Sequence, residues 1–298
     1  MTVLVIGGTG FIGGHVVHAL RARELPVRAL VRDPRRASRL ATWGAELVEG
    51  DVADSGSLAA ACDGVDTVVH LVSILTGKRA EFERVMAQGT RDLVAAAKEA
   101  GVRRFVLTSA LGLDERSRDA VPYFAAKWEM EAAVRESGLE HVIFRPSFVF
   151  GKDGGALQVF TRLARLAPVT PIVGDGTGRM QPIWVEDVAE YFARSLDPVL
   201  PDLGSGVVEL GGPDAVTWND FWGRLKRVMG KRRPSVHVPV GLMRVQAAVM
   251  ERFPNPPVTR DQLTMLELGD NVVTDPAPAA AFGIELVPLD EQLRRAVS

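Results

Sequence analysis

Val3-Leu4-Val5-Ile6 is an unbroken apolar run closed by glycines, the pattern of a short strand buried on both faces. From Phe11 to about Arg23 the apolar positions take helical spacing, with Val16, Val17 and Leu20 as an inner stripe. A second apolar run, Val27–Val31, stops at Arg32-Asp33-Pro34. Residues 46–51, 67–72 and 104–109 repeat the strand pattern, and helical stretches at 58–62 and 91–100 separate them. Strands alternating with helices predict right-handed crossovers, and so an α/β fold built on a doubly wound parallel sheet.

The alternation continues through His141-Val142-Ile143-Phe144 and then loosens, as Gly151, Gly154, Gly155, Pro168, Pro171, Gly174, Gly176 and Gly178 accumulate. This shift predicts a sheet domain over residues 1–146 with a return segment near 182–200. A smaller, interleaved substrate lobe is expected from 147–181 and 201–298. Residues 254–257 and 276–278 are proline-rich and too short to be linkers, so they read as turns inside that lobe.

Composition narrows the function. Lys and Arg number 35 and Asp and Glu 37, a formal charge of −2. That balance supplies no electrostatic case for nucleic acid or an anionic membrane as the main partner. One cysteine, Cys62, excludes an intrachain disulfide and a cysteine zinc cluster and reads as a core thiol. No apolar run approaches the ~20 residues of a membrane span. The N-terminal residues lack the pattern of a secretory signal, so a cytoplasmic location is expected.

Gly7-Gly8-Thr9-Gly10-Phe11-Ile12-Gly13 lies between the first strand and the first helix, where a Rossmann dinucleotide fingerprint must lie to work. One glycine makes the turn, one lets backbone approach a pyrophosphate, and one lets helix pack on strand. Unpaired N–H groups of the helix start then face the phosphates. At the end of the second strand an acid would select NAD(H) through the ribose 2′-hydroxyl, whereas a 2′-phosphate needs a cation. Arg32 stands there, with Arg35 and Arg36 behind it. NADP(H) is therefore the expected cofactor, and NAD(H) through Asp33 the alternative.

Tyr123-Phe124-Ala125-Ala126-Lys127 places a phenol and an ammonium four residues apart on one helix face. A phenol with a pKa of ~10 is a poor base, and a nearby cation favours its ionised form. Such a pair can exchange a proton with a carbonyl or alcohol while hydride passes to or from a nicotinamide. Ser109 closes the strand before it, at the carboxyl edge where ligands bind in such sheets. Ser109, Tyr123 and Lys127 are thus the candidate catalytic residues.

These residues resemble the short-chain dehydrogenase/reductase superfamily, in particular its extended and atypical epimerase-dehydratase-like branches. Arg145-Pro146-Ser147-Phe148-Val149-Phe150-Gly151 is similar to the segment lining the nicotinamide there. The stretch 182–189 resembles the connection back from the second lobe. The tail, residues 258–273, is similar to the branch containing the nucleotide-binding accessory subunit of respiratory complex I and its bacterial relatives. The resemblance implies that Gly7, Gly10 and Gly13 bind pyrophosphate, with Thr9, Phe11 and Ile12 also among the cofactor-binding residues, and that Arg32 binds the 2′-phosphate. It also implies that Asp51 and Val52 flank adenine, that Leu71 and Val72 line the ribose side, that Lys127 binds the nicotinamide ribose, and that Pro146 and Ser147 set the nicotinamide face. The pattern departs at Met86, which stands where extended members carry an asparagine of a proton relay.

Two readings follow. The first is an NADP(H)-dependent oxidoreductase acting on a small substrate. The second is a non-catalytic NAD(P)H-binding module that senses redox state or supports assembly of a partner. A sugar-nucleotide epimerase or dehydratase is a third, weakened by the missing asparagine. The methionines and valines of 238–250, read as a core-facing helix or the wall of an apolar cleft, join Phe148, Phe150, Phe160 and Trp184 in favouring an apolar substrate. A protein partner or a second copy of the chain is compatible with either reading. The scattered histidines, His15 and His18 included, lack a third ligand and suit solvated or packed roles better than a metal. Residues 230–234 read as an exposed basic turn.

Overall fold

A computed structural model describes residues 1–197, 206–253, 256 and 258–297. The turn expected at 254–257 lies largely outside the described residues, as do positions 198–200 of the return segment. Seven strands form one parallel sheet. They are β1 (Val3–Ile6), β2 (Val27–Val31), β3 (Glu46–Glu49), β4 (Thr67–His70), β5 (Arg104–Thr108), β6 (Glu140–Pro146) and a last strand, Gly206–Leu210. Their order across the sheet is β3-β2-β1-β4-β5-β6 and then Gly206–Leu210. The order reverses between β1 and β4, where Val3 pairs Val27 on one side and Thr67 on the other. In an open α/β sheet the crevice beyond that reversal is where ligands bind.

Alternation along β1 sorts the core into two layers. Val3 and Val5 face one side with Val16, Val17 and Leu20 of the helix Phe11–Ala22 and with Val188 and Phe192 of Val185–Arg194. Leu4 and Ile6 face the other, with Leu58, Leu93, Phe105, Met130 and Ile143. A third cluster lies outside the sheet. Phe150, Leu157, Trp184, Phe221, Trp222 and Leu293 fill it, and Phe160 meets Phe221 edge-on with ring centres 5.3 Å apart. Phe150 and Trp184 are therefore packing residues of this cluster, not walls of an open cleft.

Two features differ from the sequence reading. Gly206–Leu210, read as part of the lobe, pairs in parallel with β6 from Gly206↔Val142 to Leu210↔Pro146 and extends the sheet; its short run is broken by Glu209, which weakens the apolar signal. The helix Val240–Met250 buries only Ala247, so it is not core-facing. Its valines and leucine form a stripe as regular as a core stripe, but nothing among the described residues covers it. Cys62 is buried as expected, and burial pushes its thiol up to about 11.

Candidate functional site

The glycine loop is shaped by close approaches of backbone. Gly7 has φ +87°, and a Cβ there would lie 3.0 Å from the carbonyl carbon of Leu71 and the nitrogen of Val72. The loops after β1 and β4 therefore press on each other where the strand order reverses. A Cβ on Gly13 would lie 2.0 Å from the Gly7 carbonyl oxygen, so only glycine lets the helix start so near the strand end. The Gly10 amide donates to that same oxygen at 3.0 Å. Gly10 caps the helix without a side-chain bond, and no acid sits in its first turn. The first N–H groups and the positive end of the dipole are left for a ligand. A cavity of about 310 Å³ opens beside Gly8, Thr9 and Gly10, walled by Arg36, Arg39, Trp43 and Asp153. The cradle and its free amides fit a dinucleotide pyrophosphate.

At the end of β2, Arg32, Arg35 and Arg36 are exposed and make no ion pair with an acid among the described residues. Asp33 instead caps the turn Pro34–Ala37, its Oδ1 accepting from the Arg35 amide at 2.9 Å. Asp51 binds its own loop through the Ala53 amide at 3.0 Å, and Val52 is buried. Gly89 sits tight against Val52: a Cβ there would be 2.9 Å from the Val52 carbonyl oxygen.

The carboxyl ends of β4 and β5 hold an unusual set of buried polar groups. Lys127 is fully buried, and its ammonium donates to the Thr108 carbonyl at 2.7 Å. Burial pulls it down to about 7, with the Glu131 carboxylate acting in the opposite sense. The ammonium also lies 5.9 Å from the centre of the Tyr123 ring. Burial pushes the Tyr123 phenol above the ordinary value, and the Ser73 side chain acts in the opposite sense. The lowering expected from sequence is thus not the dominant effect here, since the cation faces the ring and both groups are desolvated. Ser109 is buried and its hydroxyl has no hydrogen-bond partner among the described residues; the Thr108 hydroxyl and His70 Nδ1 likewise have none there.

His70 is linked through Thr90 to the turn that carries Met86. A π-helical turn, Glu83–Gln88, precedes the helix Gly89–Glu99. Within it the Met86 carbonyl, rather than its side chain, accepts the Thr90 hydroxyl proton at 2.6 Å. Thr90 has one proton to give, so the contact at 3.0 Å from His70 Nε2 must be a donation by His70. Its Nδ1 then carries the free lone pair. Burial first, and Lys127 second, hold the ring's pKa at about 3, neutral at any ordinary pH.

Two supports were not read from the sequence. Glu131 is fully buried one helical turn beyond Lys127 and receives Arg145 in a fork, both contacts at 2.8 Å, with Arg135 as a second partner. Ser147 does not offer a free hydroxyl, because its Oγ donates to Asn271 Oδ1 at 2.5 Å. Asn271 also reaches the Leu111 carbonyl at 3.4 Å and takes its amide to Arg179. It ties the loops after β5 and β6 to the tail. Ser73 had one available signal: it follows Leu71-Val72 directly. His15 binds Asp153 at 3.0 Å and His18 packs edge-on against Trp43, and no metal-binding cluster exists among the described residues.

Comparisons with known proteins agree with this geometry. A family model described as NAD(P)H-binding matches residues 7–197. The chain is 30% identical over 291 residues to the ceramide reductase of Caulobacter vibrioides, covering 96% of this chain and 89% of that one. It is 28% identical to the photosystem II assembly factor Ycf39 of Cyanophora paradoxa, covering 82% and 73%. Identity to subunit 9 of the 1 alpha subcomplex of Arabidopsis thaliana mitochondrial NADH dehydrogenase is 27%, covering 73% of this chain and 55% of that one. Among solved structures, that of gox2253 superposes with a TM-score of 0.79 at 25% identity, covering 99% and 96%.

Proposed function

The chain belongs to the NAD(P)H-binding family, and from that premise we propose that it is an NADP(H)-dependent reductase of a carbonyl group on a small, apolar substrate. The reading is carried by one observation: a buried ammonium and a buried phenol, Lys127 and Tyr123, stand together at the sheet edge served by the glycine loop. When bound, the reduced nicotinamide supplies hydride. Everything else is asked of the chain's own groups.

Tyr123, kept protonated by burial, is the proton donor to the substrate oxygen. Lys127 spends one proton on the Thr108 carbonyl and keeps two for ribose hydroxyls. The unpartnered Ser109 hydroxyl holds the substrate oxygen. The cradle of Gly7, Gly10 and Gly13, with Thr9, Phe11 and Ile12, takes the pyrophosphate. Asp51 and Val52 flank adenine, Leu71 and Val72 line the ribose side, and Pro146 and Ser147 shape the nicotinamide pocket. Arg32 takes the 2′-phosphate: it is exposed without an acidic partner, while Asp33 is committed to its turn. The sheet with its return segment forms the cofactor domain, and residues 147–181 with those beyond the last strand form the substrate lobe. A relative bearing the name ceramide reductase supports an apolar substrate.

The second reading, a cofactor-binding assembly or sensing module, is favoured by Met86 in the relay position and by the relative named as an assembly factor. NADPH oxidation against a panel of carbonyl and quinone acceptors separates the two. Native protein is expected to turn over at least one acceptor. Tyr123→Phe should lose at least about 100-fold in kcat/KM, the usual worth of a positioned acid, with NADPH affinity unchanged. Saturable NADPH binding without oxidation on any acceptor would replace the reductase by the module.

A further inference from the structure

The helix Val240–Met250 turns an apolar side to solvent. Leu242, Val245 and Val249 are 53%, 63% and 50% exposed, and Phe253, just past the helix end, is 66% exposed. At ~100° per residue Leu242, Val245 and Val249 fall on one stripe, and Phe253 follows them in the turn that ends the helix. The opposite side is fixed. Ala247 is buried, and Arg244 donates to Thr264 at 3.2 Å and to Glu267, both on the neighbouring helix Arg260–Glu267. That neighbour carries Met265 against the core cluster holding Tyr123. The stripe is therefore held outward by contacts that reach back to the candidate site.

Charge separates this region from the rest of the molecule. The whole chain is at −2, yet residues 224–253 hold eight Lys and Arg against one acid, Glu251; Arg224 and Arg244 among the eight are paired with acids outside that segment. Arg227, Arg232 and Arg252 are exposed and have no acidic partner among the described residues. An exposed apolar stripe on a segment with surplus cations, Arg252 next to Phe253 among them, suits a surface that offers both acyl chains and anionic headgroups. A second copy of the same face would set like charges against each other. We infer that this helix docks the protein on an anionic bilayer, with Leu242, Val245, Val249 and Phe253 below the headgroups and Arg252 at their level. No helix among the described residues is long and apolar enough to cross a membrane, so the attachment is peripheral. It goes beyond the reductase reading and does not depend on turnover.

Co-sedimentation with phosphatidylcholine vesicles, with and without about one-third phosphatidylglycerol, tests it. Native protein should bind the anionic vesicles, bind the neutral ones at least tenfold more weakly, and be released by salt. The doubly substituted V245E/V249E chain should lose at least tenfold in vesicle affinity at unchanged thermal unfolding temperature, because both sites are exposed. Tyr123→Phe should bind vesicles like the native chain, so a failed reductase assignment leaves this result readable. Absence of binding to both vesicles, or undiminished binding by V245E/V249E, overturns the inference. So does a native dimer that V245E/V249E dissolves while vesicles stay unbound.

Discussion

Gly13→Ala is expected to abolish measurable NADPH binding, while Gly14→Ala at the next position leaves the protein as stable or more so. The Cβ of residue 13 would meet the Gly7 oxygen at 2.0 Å and the Gly7 carbonyl carbon and Gly8 Cα at 2.8 Å, all of them backbone. No side chain can rotate away, so the helix start must move off the strand end by more than ~1 Å. Overpacking of this kind costs about 1–3 kcal/mol in stability, and the moved amides no longer converge on one pyrophosphate. A Cβ on Gly14 meets nothing nearer than the Gly8 oxygen at 3.9 Å, and alanine gains up to about 1 kcal/mol of helix propensity over glycine. Denaturant unfolding and calorimetric NADPH titration of the two variants check both signs. Equal NADPH affinity in Gly13→Ala and the native chain would show that this approach does not shape the site.

Glu131→Gln should lower stability by about 3 kcal/mol, read as the shift in urea midpoint at unchanged slope. Glu131 is fully buried and Arg145 partly so, and the substitution leaves the guanidinium without this carboxylate. The same variant tests the electrostatics of Lys127. Its pKa is lowered from 10.5 to about 7, so between those values the unfolded chain binds a proton the folded chain lacks. The contribution of Lys127 to stability therefore rises with pH across that window and is most unfavourable below it. Glu131 favours the ammonium, so its removal moves the lower edge of the window further down. Unfolding measured as a function of pH should show the rise beginning at lower pH in Glu131→Gln. An unmoved onset would mean that the carboxylate does not act on Lys127.

The sheet was legible because both of its faces are buried: near-continuous apolar strands announce themselves, and β1, β2, β4 and β5 stand where the runs placed them. The seventh strand was missed, since five residues containing Gly206 and Glu209 carry little signal without knowledge of their neighbour β6. Family membership and NAD(P)H binding were likewise legible, because the glycine spacing, the strand-end serine and the Tyr-Lys pair are local patterns. The supports of the site were not. Ser147 meets Asn271 across 124 residues, and Glu131 meets Arg145 across 14; such partners are set by the packed fold. The helix Val240–Met250 shows the reverse limit. Its apolar stripe is plain in sequence, but whether a stripe is covered depends on what the rest of the chain leaves over.

Calorimetric titration of the native protein and Arg32→Asp with NADPH and NADH tests the central claim most directly. One nucleotide per chain should bind the native protein, NADPH more tightly than NADH, with an affinity of about micromolar order; Arg32→Asp should lose that preference by at least tenfold. Heat traces flat for both nucleotides on well-folded native protein would contradict the claim.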